Sequence, residues 1–325
     1  MTDSLNHLIQ TVRYCIASPT LGYCQSHEHL FIADGQSAKL VPSLRIDDFS
    51  KTVSELNSYK DFGGVSIVDA QPIGCGRMAE ELYSASVSSG INIIASTGFH
   101  KLIFYPEEHW IHAMDESELF YLFRNEIEHG MYINCDKSMP SQQIAAKAGI
   151  IKTASDLGGP TGEYLKLFSA AAKASKHTGI PILSHTEAGK GALEQVQIFA
   201  DHGVPLDSII LCHIDRKLDD FDFQLAIAKT GVYMEFDTIG RFKYHSDEEE
   251  AAFIIKMVEQ GYEDKILIGL DTTRERLKSY GGAIGLDYIL TKFIPLLKSY
   301  GLSERIIEKF TIINPAKAFT IKPKI

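Results

Sequence analysis

Paired cysteines are what this 325-residue chain lacks first. Its five cysteines, Cys15, Cys24, Cys75, Cys135 and Cys212, are odd in number and form no C-x-x-C spacing. That excludes a disulfide framework and a cysteine-ligated zinc site, and leaves reduced, mostly buried thiols. A surplus of basic charge is missing too: 32 lysines and arginines face 42 aspartates and glutamates, a formal net charge of −10. Such a balance disfavours nucleic acid or an anionic membrane surface as the main partner, so any anion site must be local. No apolar run is long enough to cross a bilayer, and the opening MTDSLNHLIQTVRY has no basic segment followed by an apolar core and a cleavage site. A cytoplasmic protein acting on a small molecule is the expectation. Low-complexity stretches, Pro- or Ser-rich linkers and composition shifts are also absent, so a single domain over 1–325 is expected.

What recurs instead is a short apolar, β-branched run entered through a glycine or a helix stop. Eight of them are GYCQSHEHLF (22–31), GGVSIVDA (63–70), GINIIAST (90–97), AGIIKTA (148–154), GIPILSHT (179–186), SIILCHI (208–214), GVYMEFDT (231–238) and KILIGLD (265–271). Amphipathic segments such as 161–179, 187–203 and 248–261 lie between them, each closing on a glycine suited to a helix C-cap. Near-continuous apolar strands alternating with helices predict a parallel sheet covered by helices, and eight units predict an α/β (β/α)8 TIM barrel. An open doubly wound sheet is the lesser alternative. The first 21 residues are expected to form a small β cap on the barrel's other end, and 98–147 a long loop with extra helix after the third strand.

The unusual residues sit at the ends of these runs. His27 and His29, one residue apart, close the first; Lys152 ends the fourth, His185 the fifth, His213 the sixth and Asp271 the eighth. Barrel topology gathers all those ends at one mouth. Four imidazoles and a carboxylate suit divalent zinc, and oxygen ligands can bridge two such ions. A lysine repels cations, but a buried one that sheds its proton can add carbon dioxide and become a carbamate, in effect a carboxylate.

On SHEHL, VDAQPIGCGR, STGFH, AGIIKTA, LSHTEAG, CHIDR, IGLDTTR and NPAKAF, the chain resembles the phosphotriesterase-like members of the amidohydrolase superfamily over nearly its whole length. The resemblance implies a binuclear site with two divalent ions, zinc by preference. His27, His29 and Asp271 would bind one, and His185 and His213 the other, with carbamylated Lys152 and a hydroxide bridging both. It implies attack by that hydroxide on a carbonyl or phosphoryl centre, with Asp271 as the catalytic proton acceptor.

Bland readings stand beside these. Twelve histidines show that the chain uses imidazole freely, and Lys152 alone would read as a snorkelling strand end. Asp69 is expected to orient a neighbour or cap a helix, Asp215 and Arg216 to form an ion pair beside His213, and Cys24, Cys75 and Cys212 to be small buried hydrophobes.

For the substrate, GRFKYHSDEEE (240–250) and DTTRERLKSYGG (271–282) carry basic and phenolic groups after the seventh and eighth runs, where barrels often bind phosphate. Lys243, Arg274 and Tyr280 form a candidate phosphate clamp, although RERLK reads as helical and only some of its charges can face a pocket. These loops, and His100 where other branches carry tyrosine, resemble the branch that hydrolyses phosphorylated sugar lactones. The leading expectation is therefore a zinc lactonase acting on a phosphorylated aldono-1,4-lactone, with homodimers common among such barrels. The alternatives are a phosphotriesterase or other carboxylic or phosphoric ester hydrolase, and a non-catalytic metal-binding member. A related nuclease barrel would carry glutamate at Lys152 and a basic groove, and this chain has neither.

Overall fold

The computed structural model describes residues 7–323. Two short strands, β1 (Leu8–Gln10) and β2 (Cys15–Ala17), pair antiparallel ahead of everything else. Six strands of the large sheet follow the predicted runs: β3 (Cys24–Glu28), β4 (Ser66–Asp69), β5 (Asn92–Gly98), then, after the minor pair β6 (Tyr132–Ile133) and β7 (Gln142–Gln143), β8 (Ile150–Ala154), β9 (Ile182–His185) and β10 (Ile209–Cys212). β11 (Tyr233–Phe236) and β12 (Ile266–Ile268) complete it. All eight lie parallel, and each pairs with its neighbour in the chain. A doubly wound sheet would reverse strand order at a switch point; this order never does, so the open alternative is excluded.

Closure runs between the first and last of these strands. No ladder joins β3 to β12; instead Ser26 Oγ donates to Ile268 O at 2.7 Å across 242 positions, Asp271 N donates to His27 O at 3.0 Å, and Leu270 N donates to the Glu28 carboxylate at 2.9 Å. Glycine at 269 makes the approach possible, because a Cβ there would meet His27 backbone and Cβ at 3.0–3.1 Å.

Alternation along the strands divides the core in two. Val68, Ile94, Ile150, Leu183, Ile210, Tyr233 and Leu267 fill the barrel interior, while Ile67, Ile93, Ile151, Ile182, Ile209, Met234 and Ile266 pack outward against helices. The helices include Phe49–Asp61, Ala79–Ser89, Glu116–Glu128, Tyr164–Thr178, Ala192–Asp201, Phe221–Thr230 and Asp247–Glu259. Glu116–Glu128 and Asp247–Glu259 open on full capping boxes, from Asp115 with Glu118 and from Ser246 with Glu249.

The β1–β2 pair covers the bottom, where Val12 N bonds Ile93 O at 2.9 Å, as expected of a cap; positions 1–6 of that segment lie outside the described residues. The 98–147 stretch holds the helix Glu116–Glu128 and the β6–β7 pair, as its length predicts. RERLK departs from the helical reading: it forms two 3-10 turns, Arg274–Arg276 and Lys278–Tyr280, because the buried Arg276 spends its donors on Leu270, Asp271 and Ile239 carbonyls. Among the described residues no helix is long and apolar enough to cross a membrane.

Candidate metal centre

Strand parity delivers the candidate residues to one place. Lys152 stands two after Ile150, and His185 two after Leu183, so both share the interior parity at the upper end of the barrel. Glycine at 98 lets β5 close on Lys152, since a Cβ there would lie 1.9 Å from the Lys152 carbonyl oxygen. His213 and Asp271 leave their strands in left-handed backbone, at φ 62° and 47°. That is a strained choice for residues with side chains, and it turns both inward.

The six candidates form one buried cluster. His27 Nε2 is 3.4 Å from Lys152 Nζ and 3.9 Å from Asp271 Oδ1; His29 Nε2 is 3.5 Å from the same oxygen; His213 Nδ1 is 3.9 Å from Asp271 Oδ2. The His185 and His213 ring centroids are 4.4 Å apart, and those of His27 and His213 5.0 Å.

Carboxylates behind the rings fix which nitrogen faces the centre. Glu235 and Asp237 hold His27 Nδ1 at 2.8 and 3.1 Å, Asp237 holds His213 Nδ1 at 2.7 Å, and Glu187 takes His185 Nε2 at 3.0 Å. Each ring is thus left one nitrogen for a cation, and an outer carboxylate orients it. Burial, with Lys152 nearby, lowers His27 to about 4; burial lowers His185 to about 3 despite Glu187, and His213 likewise falls far below the usual range. These are neutral imidazoles, the form that ligates metal.

The remaining donors fit the same reading. His29 Nδ1 is buried without a hydrogen-bond partner. Lys152 is fully buried and forms no ion pair among the described residues. As a carbamate it would offer oxygen ligands to a cation. Burial would raise the Asp271 carboxyl, but Arg241 and His213 hold it well below the usual range, and Arg216 adds a contact at 3.2 Å. Cys212, 4.0 Å from Lys152 Nζ, is driven up by burial and stays a thiol, as a small buried residue rather than a ligand.

The proposed clamp residues are less closely drawn together. Tyr280 accepts Asp48 N–H at 3.0 Å and carries the Arg274 guanidinium over its ring at 5.0 Å. Lys243 instead lies over Tyr244 at 4.8 Å, a ring that Arg216 and Arg241 also approach, at 5.5 and 5.8 Å.

Asp69 accepts Leu30 N at 2.7 Å and Gln71 N at 3.1 Å, so it ties down the backbone after His29 instead of capping the next helix, which starts at Ala79. The expected Asp215–Arg216 pair is corrected: Asp215 accepts Thr238 N and Oγ1, both at 2.7 Å, while Arg216 turns to Asp271 and Glu187. Adjacent residues on a turn point apart, and Arg216 follows the stronger field of the mouth. Sequence reading missed Glu28, Glu187, Glu235 and Asp237. The last two were findable, as acids two apart at the end of an apolar run, the same signal that singled out His27 and His29.

Comparisons with known proteins show the family and the fold. Residues 7–319 match the model of the family described as "Phosphotriesterase family". A phospho-furanose lactonase of Mycoplasmopsis synoviae is 31% identical over 329 residues, covering 98% of this chain and 93% of the relative. A lactonase structure from Listeria monocytogenes superposes with a TM-score of 0.88 at 31% identity, over 97% of this chain and 100% of that one. A phosphotriesterase homology protein from Escherichia coli, crystallised with phosphate in its active site, gives 0.83 at 32%, over 93% and 99%.

Proposed function

This chain belongs to the phosphotriesterase family, whose relatives are ester-hydrolysing, metal-dependent enzymes, and from that premise we propose that it opens the ring of a phosphorylated aldono-1,4-lactone. Two divalent ions, zinc by donor type, would be held by His27, His29 and Asp271 on one side and by His185 and His213 on the other, with Lys152 between them as a carbamate. When bound, such ions polarise an ester carbonyl and make water acidic enough to act as a nucleophile near neutral pH.

The chain's own residues do the rest. Asp271, kept ionised by Arg241 and Arg216, accepts the proton of the attacking water and returns it to the ring oxygen as it leaves. Glu235, Asp237 and Glu187 hold the imidazoles in one tautomer throughout. Arg274, Lys243 and Tyr280 are proposed to grip the phosphate. Tyr280 accepts from Asp48 and so keeps its own O–H to donate, and Arg274 lies over its ring.

The observation that carries this reading is the convergence of four imidazoles, three of them held neutral by burial, with a buried unpaired lysine and an ionised aspartate in one cluster. Its test is metal analysis of the purified protein, then a panel of 1,4-lactones with and without phosphate. About two ions per chain and faster turnover of phosphorylated lactones are expected. A metal-free protein, or a preference for neutral lactones, overturns it.

A further inference from the structure

One histidine at the mouth takes no part in the centre described above. His245 ends the loop after β11 and lies among Asp215, Glu250 and Thr238. Its Nε2 is 2.9 Å from Glu250 Oε2, 2.9 Å from the Asp215 main-chain oxygen and 3.1 Å from Thr238 Oγ1; its Nδ1 is 3.2 Å from Ser246 O. A carbonyl oxygen only accepts, so a ring with a carbonyl against each nitrogen carries a proton on both. His245 is therefore a cation. Burial opposes the charge, but the hydrogen bond and charge of Glu250 outweigh it and raise the imidazole to about 9.

The segment it anchors is tied down at both ends. Thr238 N and Oγ1 donate to Asp215, Gly240 N donates to Asp247 at 2.7 Å, and Glu250 is fully buried in the helix Asp247–Glu259. Between those ties stand Arg241, Lys243 and Tyr244. Three cations, Arg216, Arg241 and Lys243, lie within 6 Å of the one Tyr244 ring, each attracted to it but repelling the others. Such a cluster persists only where its platform is fixed.

We propose that His245 is a positioning residue: clamped between Asp215 and Glu250, it fixes the loop 238–247 so that Tyr244 holds Lys243 for an anionic substrate while Arg216 and Arg241 stay on Asp271. The substrate part rests on the function proposed above; the clamp itself does not.

The experiment uses metal-loaded, full-length His245→Gln and Glu250→Gln, the second keeping the side-chain shape should the first fail to fold. Trypsin cleavage after Arg241 and Lys243 in the native protein reads loop fixation, and steady-state kinetics on a phosphorylated 1,4-lactone reads positioning. Cleavage about tenfold faster than wild type, with KM raised about tenfold and kcat within about threefold, is expected. Wild-type cleavage rates in both folded variants overturn the clamp, and faster cleavage with unchanged KM overturns the positioning role. A wild type that hydrolyses no lactone sinks the proposed function instead, and the cleavage rates then decide the clamp alone.

Discussion

Lys152 is fully buried, has no ion-pair partner among the described residues and lies 3.4 Å from His27 Nε2, a place where a carbamate would face the candidate metal centre. Lys152→Met should lose both metal and turnover, and Lys152→Ala should regain part of the turnover with added short-chain carboxylates; a fully active Lys152→Met enzyme rules the bridge out. Asp271→Asn keeps an oxygen but no proton acceptor, so turnover should fall about 10²–10⁴-fold while metal content stays near that of wild type. Metal analysis beside steady-state kinetics separates the two effects. At Arg274, a charge-assisted contact to phosphate is worth about 1.5–3 kcal/mol, roughly ten- to more than a hundredfold in kcat/KM. Arg274→Met should therefore lose that factor on a phosphorylated lactone and almost nothing on its unphosphorylated counterpart. Equal losses on both would assign Arg274 to the rim.

Between elements, one buried pair does more than any surface contact. Arg77, 1% exposed, meets Glu126, 0% exposed, through two contacts at 2.6 and 2.8 Å, and also donates to Ser96 O and Tyr132 O. It thereby joins the loop after β4, the strand β5 and the helix Glu116–Glu128. Glu126→Ala strands a buried guanidinium, at a cost of about 3–5 kcal/mol, readable as a lower denaturant midpoint; an unchanged midpoint would mean the arginine finds water. Elements of this kind show why the sequence was legible where it was. The eight runs announced themselves by apolar composition, and His27, Lys152 and His213 by breaking that composition at its ends. Arg77–Glu126 and the seam contacts of Glu28 join residues distant in the chain, and no local pattern marks such partners. Tyr280 was legible as a phenol on a basic loop, but its bond to Asp48 depends on a helix start more than 200 positions away.

Across the whole molecule, acid should act through the same imidazoles. His27 and His185 fold with pKa values of about 4 and 3, held down by burial, below the roughly 6.5 of an unfolded histidine. The unfolded chain therefore binds more protons in that window, and stability rises with pH. Metal-free protein should be at its most stable near neutrality and lose about 1.4 kcal/mol per pH unit per histidine as pH falls from roughly 6.5 toward 4. Urea titrations of chelator-treated protein at pH 7 and pH 5 check this, and equal stability at both would mean that water reaches the rings. The seam between β3 and β12 bears on the order of events during synthesis. Ser26 is made 242 positions before its partner Ile268, and His27 likewise long before Asp271. Closing so large a loop carries an entropy cost met only when the final strand docks. The nascent chain must therefore hold β3 with an open flank until β12 is made, and the candidate metal cluster comes into being only as the barrel is sealed.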